Sequence, residues 1–315
     1  MILQNEAPVD SSQTSSKIGI VLVLSAFVIW GLSPLYFKLL TQVSPLEILA
    51  QRAIWSLLFL LVILLIQKQF NQIFATIKIV KYRYLLFITT ALISTNWLIF
   101  IWAILNNYIM EASLGYFLTP LLNIILGVLF LNEKLTFIQK ISLILTLGAI
   151  SIQIFSAQFL GAGPWISLGL ATTFGIYTLV RKKIAVSSVV GLSVETLYLF
   201  PFALCYLIYI TLNQKMIFLT SENISLLLML GGIITALPLL LFVAGSKYLP
   251  LSSVGFFQYI APTGQLLLAI FVFNEKVDSS KMISFSLVWI ALGIYILHTI
   301  FQIYQNKNQR KMSRT

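Results

Sequence analysis

Gly115-Tyr-Phe-Leu-Thr-Pro120 is followed, twelve residues after its proline, by Asn132-Glu133-Lys134. Gly255-Phe-Phe-Gln-Tyr-Ile-Ala-Pro262 is followed at the same distance by Asn274-Glu275-Lys276. Each block lies within an apolar run, and a membrane-spanning helix needs about 20 such residues at 1.5 Å each. Reading outward from the two blocks, ten runs meet or approach that length: 18–40, 46–67, 84–105, 112–131, 137–157, 164–180, 191–212, 224–244, 253–273 and 281–303. The match pairs the fourth run with the ninth and so divides the chain into two sets of five. Five is odd, so equivalent helices must cross the bilayer in opposite directions. Inverted repeats of this kind recur in secondary transporters, with the substrate site at the repeat interface near the midplane.

Composition supports the same class. The 315 residues are 59% hydrophobic and 9% charged, with a mean hydropathy of +0.97. Soluble domains carry about 25% charged residues, so a soluble enzyme, a secreted domain and a disordered chain are all excluded. The expected organisation is a tail at 1–17, a first repeat at 18–157, a linker at 158–163, a second repeat at 164–303 and a basic tail at 304–315. The fold class is an all-α membrane protein of ten transmembrane helices. The N-terminal tail has no basic segment of the kind that opens a cleavable signal, and the first helix is expected to remain as an anchor.

The net charge of +11 raises the question of nucleic acid, but its distribution answers it. The positive residues lie between apolar runs rather than on a polar domain, which orients a membrane chain. On one alternating side stand Lys17, then Lys68, Lys78, Lys81 and Arg83, then Lys134 and Lys140, then Arg181, Lys182 and Lys183 in the sixth connection. Lys247 and the four basic residues of the C-terminal tail complete that side. The other side has Lys215, Lys276 and Lys281. Both termini are therefore expected in the cytoplasm, with no nucleic-acid partner.

The polar residues inside the runs are the candidate site. Aligned on the two prolines, Tyr116 falls on Gln258 and Asn123 on Gln265, and in each helix the pair recurs on one face. Such a stripe must face the bundle or a wet cavity, because lipid cannot satisfy it. Tyr259 beside Gln258 and Asn96-Trp97 in the third helix join these as cavity candidates. Pro120 and Pro262 each free one backbone carbonyl and are candidate hinges. Arg52, inside the second helix, is the leading candidate either for contact with an anionic or zwitterionic substrate or for holding an outer gate by pairing with a carboxylate, since a charge at a helix centre costs about 2.5–3.5 kcal/mol on insertion scales. Glu195 near the cytoplasmic start of the seventh helix and Lys38 at the end of the first are candidate intramembrane charges or gate residues. Cys205, in apolar surroundings, is expected to pack in the core.

Several chemistries are missing from the sequence. No GxxxxGK[ST] loop is present for ATP, and no HExxH or paired aspartates within a span for hydrolysis. One His and one Cys cannot build a zinc site. No catalytic residue, metal or cofactor is expected. A secondary transporter of a small molecule by alternating access is the leading reading. A membrane sensor or assembly partner, and after it an intramembrane enzyme, are the alternatives; a homodimer is carried as a candidate assembly.

Four blocks, Asn96-Trp-Leu-Ile-Phe-Ile-Trp-Ala103, Glu111-Ala-Ser-Leu-Gly-Tyr-Phe117, Leu179-Val-Arg-Lys-Lys183 and Phe256-Phe-Gln-Tyr-Ile-Ala-Pro262, resemble the RarD family, a branch of the EamA-type drug/metabolite transporter superfamily. The resemblance runs over about 18–303. It implies ten helices in two inverted EamA repeats and a permease or exporter of small molecules in a bacterial inner membrane. Asn107-Tyr108 stands where the family often has His, and Thr119 where it often has Asn.

The charge asymmetry predicts that a reporter fused after Thr315, active only outside the membrane, stays silent. Activity of that fusion would overturn both the orientation and the inverted repeat.

Overall fold

The computed structural model describes residues 11–106, 108–156, 163–272 and 279–312. Among them every regular element is a helix: α1 (Ser11–Lys38), α2 (Pro45–Ile66), α3 (Phe70–Lys78), α4 (Val80–Leu105), α5 (Ile109–Leu131), α6 (Phe137–Ser156), α7 (Gly163–Lys183), α8 (Ser188–Leu212), α9 (Glu222–Ser246), α10 (Leu251–Phe257), α11 (Ile260–Phe271) and α12 (Ser279–Met312). Five of them, α1, α2, α4, α8 and α9, are long and apolar enough to cross a membrane by length and composition. Shorter apolar helical stretches lie within α5, α6 and α12.

Three features differ from the expected ten uninterrupted spans. First, α3 is an additional short helix between the second and third. Second, the ninth run is split into α10 and α11 at Gln258-Tyr259. Pro262 has no N–H to offer the carbonyl of Gln258 four residues earlier; Ala261 N–H takes that carbonyl instead, at 3.3 Å. Third, α12 continues to Met312, through most of the stretch read as a tail, and α7 starts at Gly163 and continues through Arg181 to Lys183.

Local signals explain the helix ends. Ser44 caps α2, its Oγ accepting the Glu47 N–H at 3.2 Å ahead of Pro45 in the first turn; both residues suit those positions. Ser187 caps α8 through the Val190 N–H at 3.3 Å. Thr136 and Gln139 form a reciprocal capping box at the start of α6. α5 stops at Asn132, which takes the left-handed conformation (φ 54°), one that Asn tolerates better than most residues.

In the bundle, α1 packs on α9 and α11, α4 on α7, α5 on α7 and α10, α2 on α8 and α9, and α6 on α12. The buried core runs through the centre of these pairs and includes Phe27, Phe37, Phe100, Phe174 and Phe242. Large apolar side chains also cover the outside; Trp165 is 77% and Leu212 79% exposed. A water-soluble surface does not carry so much apolar area, whereas a surface facing lipid requires it. Cys205 belongs to this outer surface and not to the core: it shares α8 with a buried face on α2 but points away from it. Lys182, Lys183 and Lys247 lie at one end of the bundle, called here the basic end; Lys38 and Ser44 mark the charge-poor end.

Close helix crossings depend on missing side chains. A Cβ on Gly232 of α9 would lie within 2.7 Å of the Ser56 backbone nitrogen and overlap Trp55 of α2. Gly148 of α6 has nothing within 4 Å of the same position. Gly232→Ala should therefore destabilise the protein by about 1–3 kcal/mol, as overpacking does, and lower its Tm in detergent. Gly148→Ala should leave Tm unchanged or raise it slightly.

Candidate functional site

Helices from both halves of the chain enclose a cavity toward the charge-poor end. About 80 Å³ of it is open to the centre of a water molecule, severalfold the roughly 10–15 Å³ that one water needs. Its walls come from α1 (Phe27, Trp30, Ser33, Phe37), α2 (Arg52), α4 (Asn96, Trp97, Phe100), α5 (Tyr116, Thr119), α7 (Phe174), α9 (Ile234) and the broken α10–α11 segment (Gln258, Ala261, Pro262, Gln265). Toward the basic end the floor is aromatic: Trp30 meets Phe174 edge-on at 5.7 Å, and both pack on Phe242 at 5.5 and 5.4 Å.

Among the described residues Arg52 is the one charged side chain in this lining. It does not reach outward along its own stem; it is 7% exposed, with its guanidinium carbon 4.8 Å from the Trp97 ring centre and 5.3 Å from that of Phe37. Cation–π contacts of this kind contribute about 0.5–2 kcal/mol, most where water is excluded. Its Nε donates to Thr235 Oγ1 at 2.6 Å, and the Thr235 hydroxyl in turn donates to the Gly231 carbonyl at 2.6 Å. The threonine is thereby oriented with its lone pair toward the arginine. One terminal nitrogen, Nη1, is buried without a hydrogen-bond partner.

The neutral polar groups hold the walls together. Asn96 donates to the Leu170 carbonyl and to Thr173 Oγ1, both at 2.9 Å, which ties α4 to α7. Gln258 accepts from Asn123 Nδ2 at 2.6 Å, fastening the helix break to α5. Gln265 Nε2 makes a long contact, 3.4 Å, to the Trp30 carbonyl.

The sequence-derived candidates thus divide. Arg52, Asn96, Trp97, Tyr116, Gln258, Gln265 and Pro262 meet at the cavity. Asn123 does not line it; its amide is spent on Gln258 behind the wall. Tyr259 also turns away, because the break at 258–259 directs it to the other side, where its hydroxyl donates to the Phe117 carbonyl at 3.4 Å. Pro120 stays within a continuous α5. Lys38 is exposed in the last turn of α1, outside the cavity.

Glu195 lies neither in the cavity nor at a loop. It is 2% exposed near the basic end and paired with Arg181, also 2% exposed, whose Nε is 3.4 Å from Glu195 Oε1. Arg181 therefore belongs to the helical interior, not to a connecting loop. Sequence reading missed it because it begins the run Arg-Lys-Lys, whose last member is exposed and whose middle one, Lys182, is half-buried and donates to the Ser246 and Leu249 carbonyls. It also missed Thr235, an ordinary helix threonine until it is placed beside Arg52, and Phe174. Glu47 and Glu133 were missed for a similar reason. Glu47 accepts the Ile217 and Phe218 N–H groups at 2.9 and 2.8 Å, and Glu133 reaches across to the Leu251 N–H at 2.6 Å. Both bind backbone distant in sequence. Glu275, the repeat counterpart of Glu133, lies outside the described residues.

These features define a polytopic helical membrane protein with a buried, aromatic cavity into which Arg52 projects. The model of the EamA-like transporter family matches residues 17–155. The chain is 41% identical to "Protein RarD" of Salmonella typhi over 298 residues, 93% of this chain and 98% of that protein. It is 41% identical to "Protein RarD" of Escherichia coli (strain K12) over 93% and 97% of the two chains. The same identity, over 89% and 94%, relates it to "Uncharacterized transporter YojE" of Bacillus subtilis (strain 168). The chain belongs to the RarD-type members of the EamA family. A solved crystal structure, 15% identical, shares the fold with a TM-score of 0.66 over 91% of this chain and 98% of its own.

In a Cys205→Ser background, Tyr116→Cys, Gln258→Cys and Gln265→Cys should react with a small water-soluble thiol reagent, while Asn123→Cys and Tyr259→Cys should be protected. Equal reactivity in both groups would show that the cavity wall does not run where the side chains place it.

Proposed function

We propose that this protein is a secondary carrier of a small organic anion or zwitterion with an apolar body, working by alternating access between two inverted five-helix repeats. The observation that carries the reading is Arg52. A guanidinium held by Nε to Thr235 and between two aromatic faces, with Nη1 unpartnered, is arranged for a carboxylate or similar anion. Arginine presents its donors in a planar fork that suits such groups, and the low dielectric of the cavity strengthens the contact. The aromatic walls would take the apolar part of the substrate.

The helix pairing supports the repeat. With α10–α11 counted as one helix and α3 left out, moving five helices along the chain carries α1 on α9 into α7 on α4, and α5 on α7 into α11 on α1. It carries α2–α8, α5–α10 and α6–α12 into themselves. This count makes ten crossings, each half burying its own share of the cavity. The description of the EamA-like transporter family and the name of the YojE relative favour transport over catalysis. The basic end is read as cytoplasmic by the positive-inside rule, in a bacterial inner membrane, with the cavity then on the outer side of its aromatic floor.

Purified protein in proteoliposomes, loaded with a mixture of aromatic and aliphatic amino acids and carboxylates, should exchange at least one of them with the labelled compound outside. Arg52→Gln should abolish that exchange, a loss of at least tenfold, with insertion near normal. Arg52→Lys should restore little, because an ammonium cannot reproduce the fork. Wild-type exchange rates in Arg52→Gln would overturn the role of the arginine, and no exchange by the wild type of any compound would overturn the reading as a carrier.

A further inference from the structure

Arg52 and Glu195 occupy equivalent positions. Each lies eight residues after the serine that caps its helix, Ser44 for α2 and Ser187 for α8, and so about 12 Å along it at 1.5 Å per residue. α2 and α8 are counterparts in the repeat proposed above. Their surroundings correspond as well. Arg52 bonds a threonine of α9, and Glu195 accepts from Thr89 of α4 at 2.5 Å, α4 and α9 again being counterparts. A tyrosine of the first helix of each half stands by: Tyr36 packs with Arg52 over Gly231, and Tyr177 of α7 donates to Glu195 Oε2 at 3.4 Å. The two sites differ in the sign of the charge and in their state. The one at Arg52 faces open space; the one at Glu195 is shut.

What shuts it is a poorly made ion pair. The Arg181–Glu195 contact is 3.4 Å through Nε, and no nitrogen of Arg181 makes a hydrogen bond of good geometry. The guanidinium is pressed against Gly191, one turn before Glu195, where a Cβ would overlap it. Beyond it stands Lys247, whose ammonium donates to the Val186 carbonyl; desolvation and the charge of Arg181 hold that ammonium below the usual lysine range. The remaining titratable groups on the elements around α8 are farther from the carboxylate: Arg83 of α4, which interacts with Tyr198 one turn along α8, Lys78 exposed at the end of α3, and Arg52 and Glu47 toward the other end of α2. Arg181 is thus the counter-ion of Glu195, and Lys247 stands on the far side of that arginine. A structural pair buried at such desolvation cost gains from good geometry; this one lacks it. Intramembrane carboxylates of transporters are commonly where protons bind.

We propose that Glu195 is the proton-binding site of this carrier. A proton from cytoplasmic water adds to the carboxylate and leaves it neutral; Arg181 keeps its own charge, loses its counter-ion and is repelled by Lys247, which loosens α7 from α8 and opens the basic end. The role in a transport cycle rests on the alternating-access reading above; the proton binding does not. The test uses the full chain in nanodiscs. Infrared difference spectra between mildly alkaline and mildly acidic buffer should show a protonated carboxyl band that Glu195→Gln removes and Glu195→Asp retains, shifted. In a Cys205→Ser background, labelling of the nearly isosteric Ser193→Cys, buried two residues before Glu195, by a water-soluble thiol reagent is read at each pH relative to the exposed Asn213→Cys, because the reacting thiolate declines as pH falls. That relative labelling should rise severalfold on acidification, and with Glu195→Gln added it should be fast at both pH values. A carboxyl band unchanged by Glu195→Gln, or relative labelling of Ser193→Cys that ignores pH while Glu195 is intact, overturns the proposal. If Glu195→Gln fails to accumulate, the spectra of Glu195→Asp and the pH response of Ser193→Cys decide the matter alone. Neither readout needs a substrate. Titration and labelling as expected with no exchange in proteoliposomes would sink the carrier and keep the proton site, whereas exchange without titration would do the reverse.

Discussion

Hydrocarbon offers no hydrogen bonds, and that constraint organises this molecule. Backbone groups must be satisfied within helices, so all regular structure among the described residues is helical. Polar side chains in the spans find their partners inside the bundle: most serines and threonines turn back to carbonyls of their own helix, such as Thr119 to Gly115 and Thr178 to Phe174, and a smaller set reaches other helices. Asn96 binds α7 from α4, Asn123 binds Gln258 from α5, Ser56 donates to the Gly232 carbonyl at 3.0 Å and Ser142 to the Ala291 carbonyl at 3.1 Å. Each such bond is worth little, averaging about 0.6 kcal/mol in a membrane, but each also fixes a register. Helix packing and the polar interior are therefore one design.

Arg52 and Glu195 stand out among the four buried charged side chains of the described residues, the others being Glu47 and Arg181. Arg52 is stabilised by a threonine lone pair and two ring faces, an environment that lowers the cost of burial without neutralising the charge. Glu195 has a counter-ion and two hydroxyl donors, an environment that neutralises the charge with indifferent geometry. The first leaves a donor for something to bind; the second leaves a pair that a single proton can undo. In the inverted repeat proposed here, both lie eight residues into counterpart helices from opposite ends.

Much of this architecture was legible in one dimension. Apolar run length and the Lys/Arg asymmetry depend on solvent, not on neighbours, so they survive in the bare sequence. The repeat proposed here rests first on the common spacing of Pro120 and Pro262 to the two Asn-Glu-Lys stretches. Arg52, Asn96, Trp97, Tyr116, Gln258 and Gln265 could be picked out because a polar group within an apolar run has few innocent explanations. Asn123 and Tyr259 satisfied the same criterion and yet do not reach the cavity. Helical spacing gives a face, but the break at Gln258-Tyr259 resets the face in mid-helix.

By itself the sequence determined that the chain lives in a membrane, that it is helical, and which side chains are too polar to face lipid. Those conclusions follow from transfer free energy and periodicity, which are properties of a segment and its solvent. Tertiary structure alone decided that Arg181 is inside and Lys183 outside, that Thr235 orients Arg52, and that Glu47 and Glu133 serve backbone more than a hundred residues away. Each of these depends on which helix lies opposite, and the energies that choose a neighbour are contacts between segments that no single stretch of sequence contains.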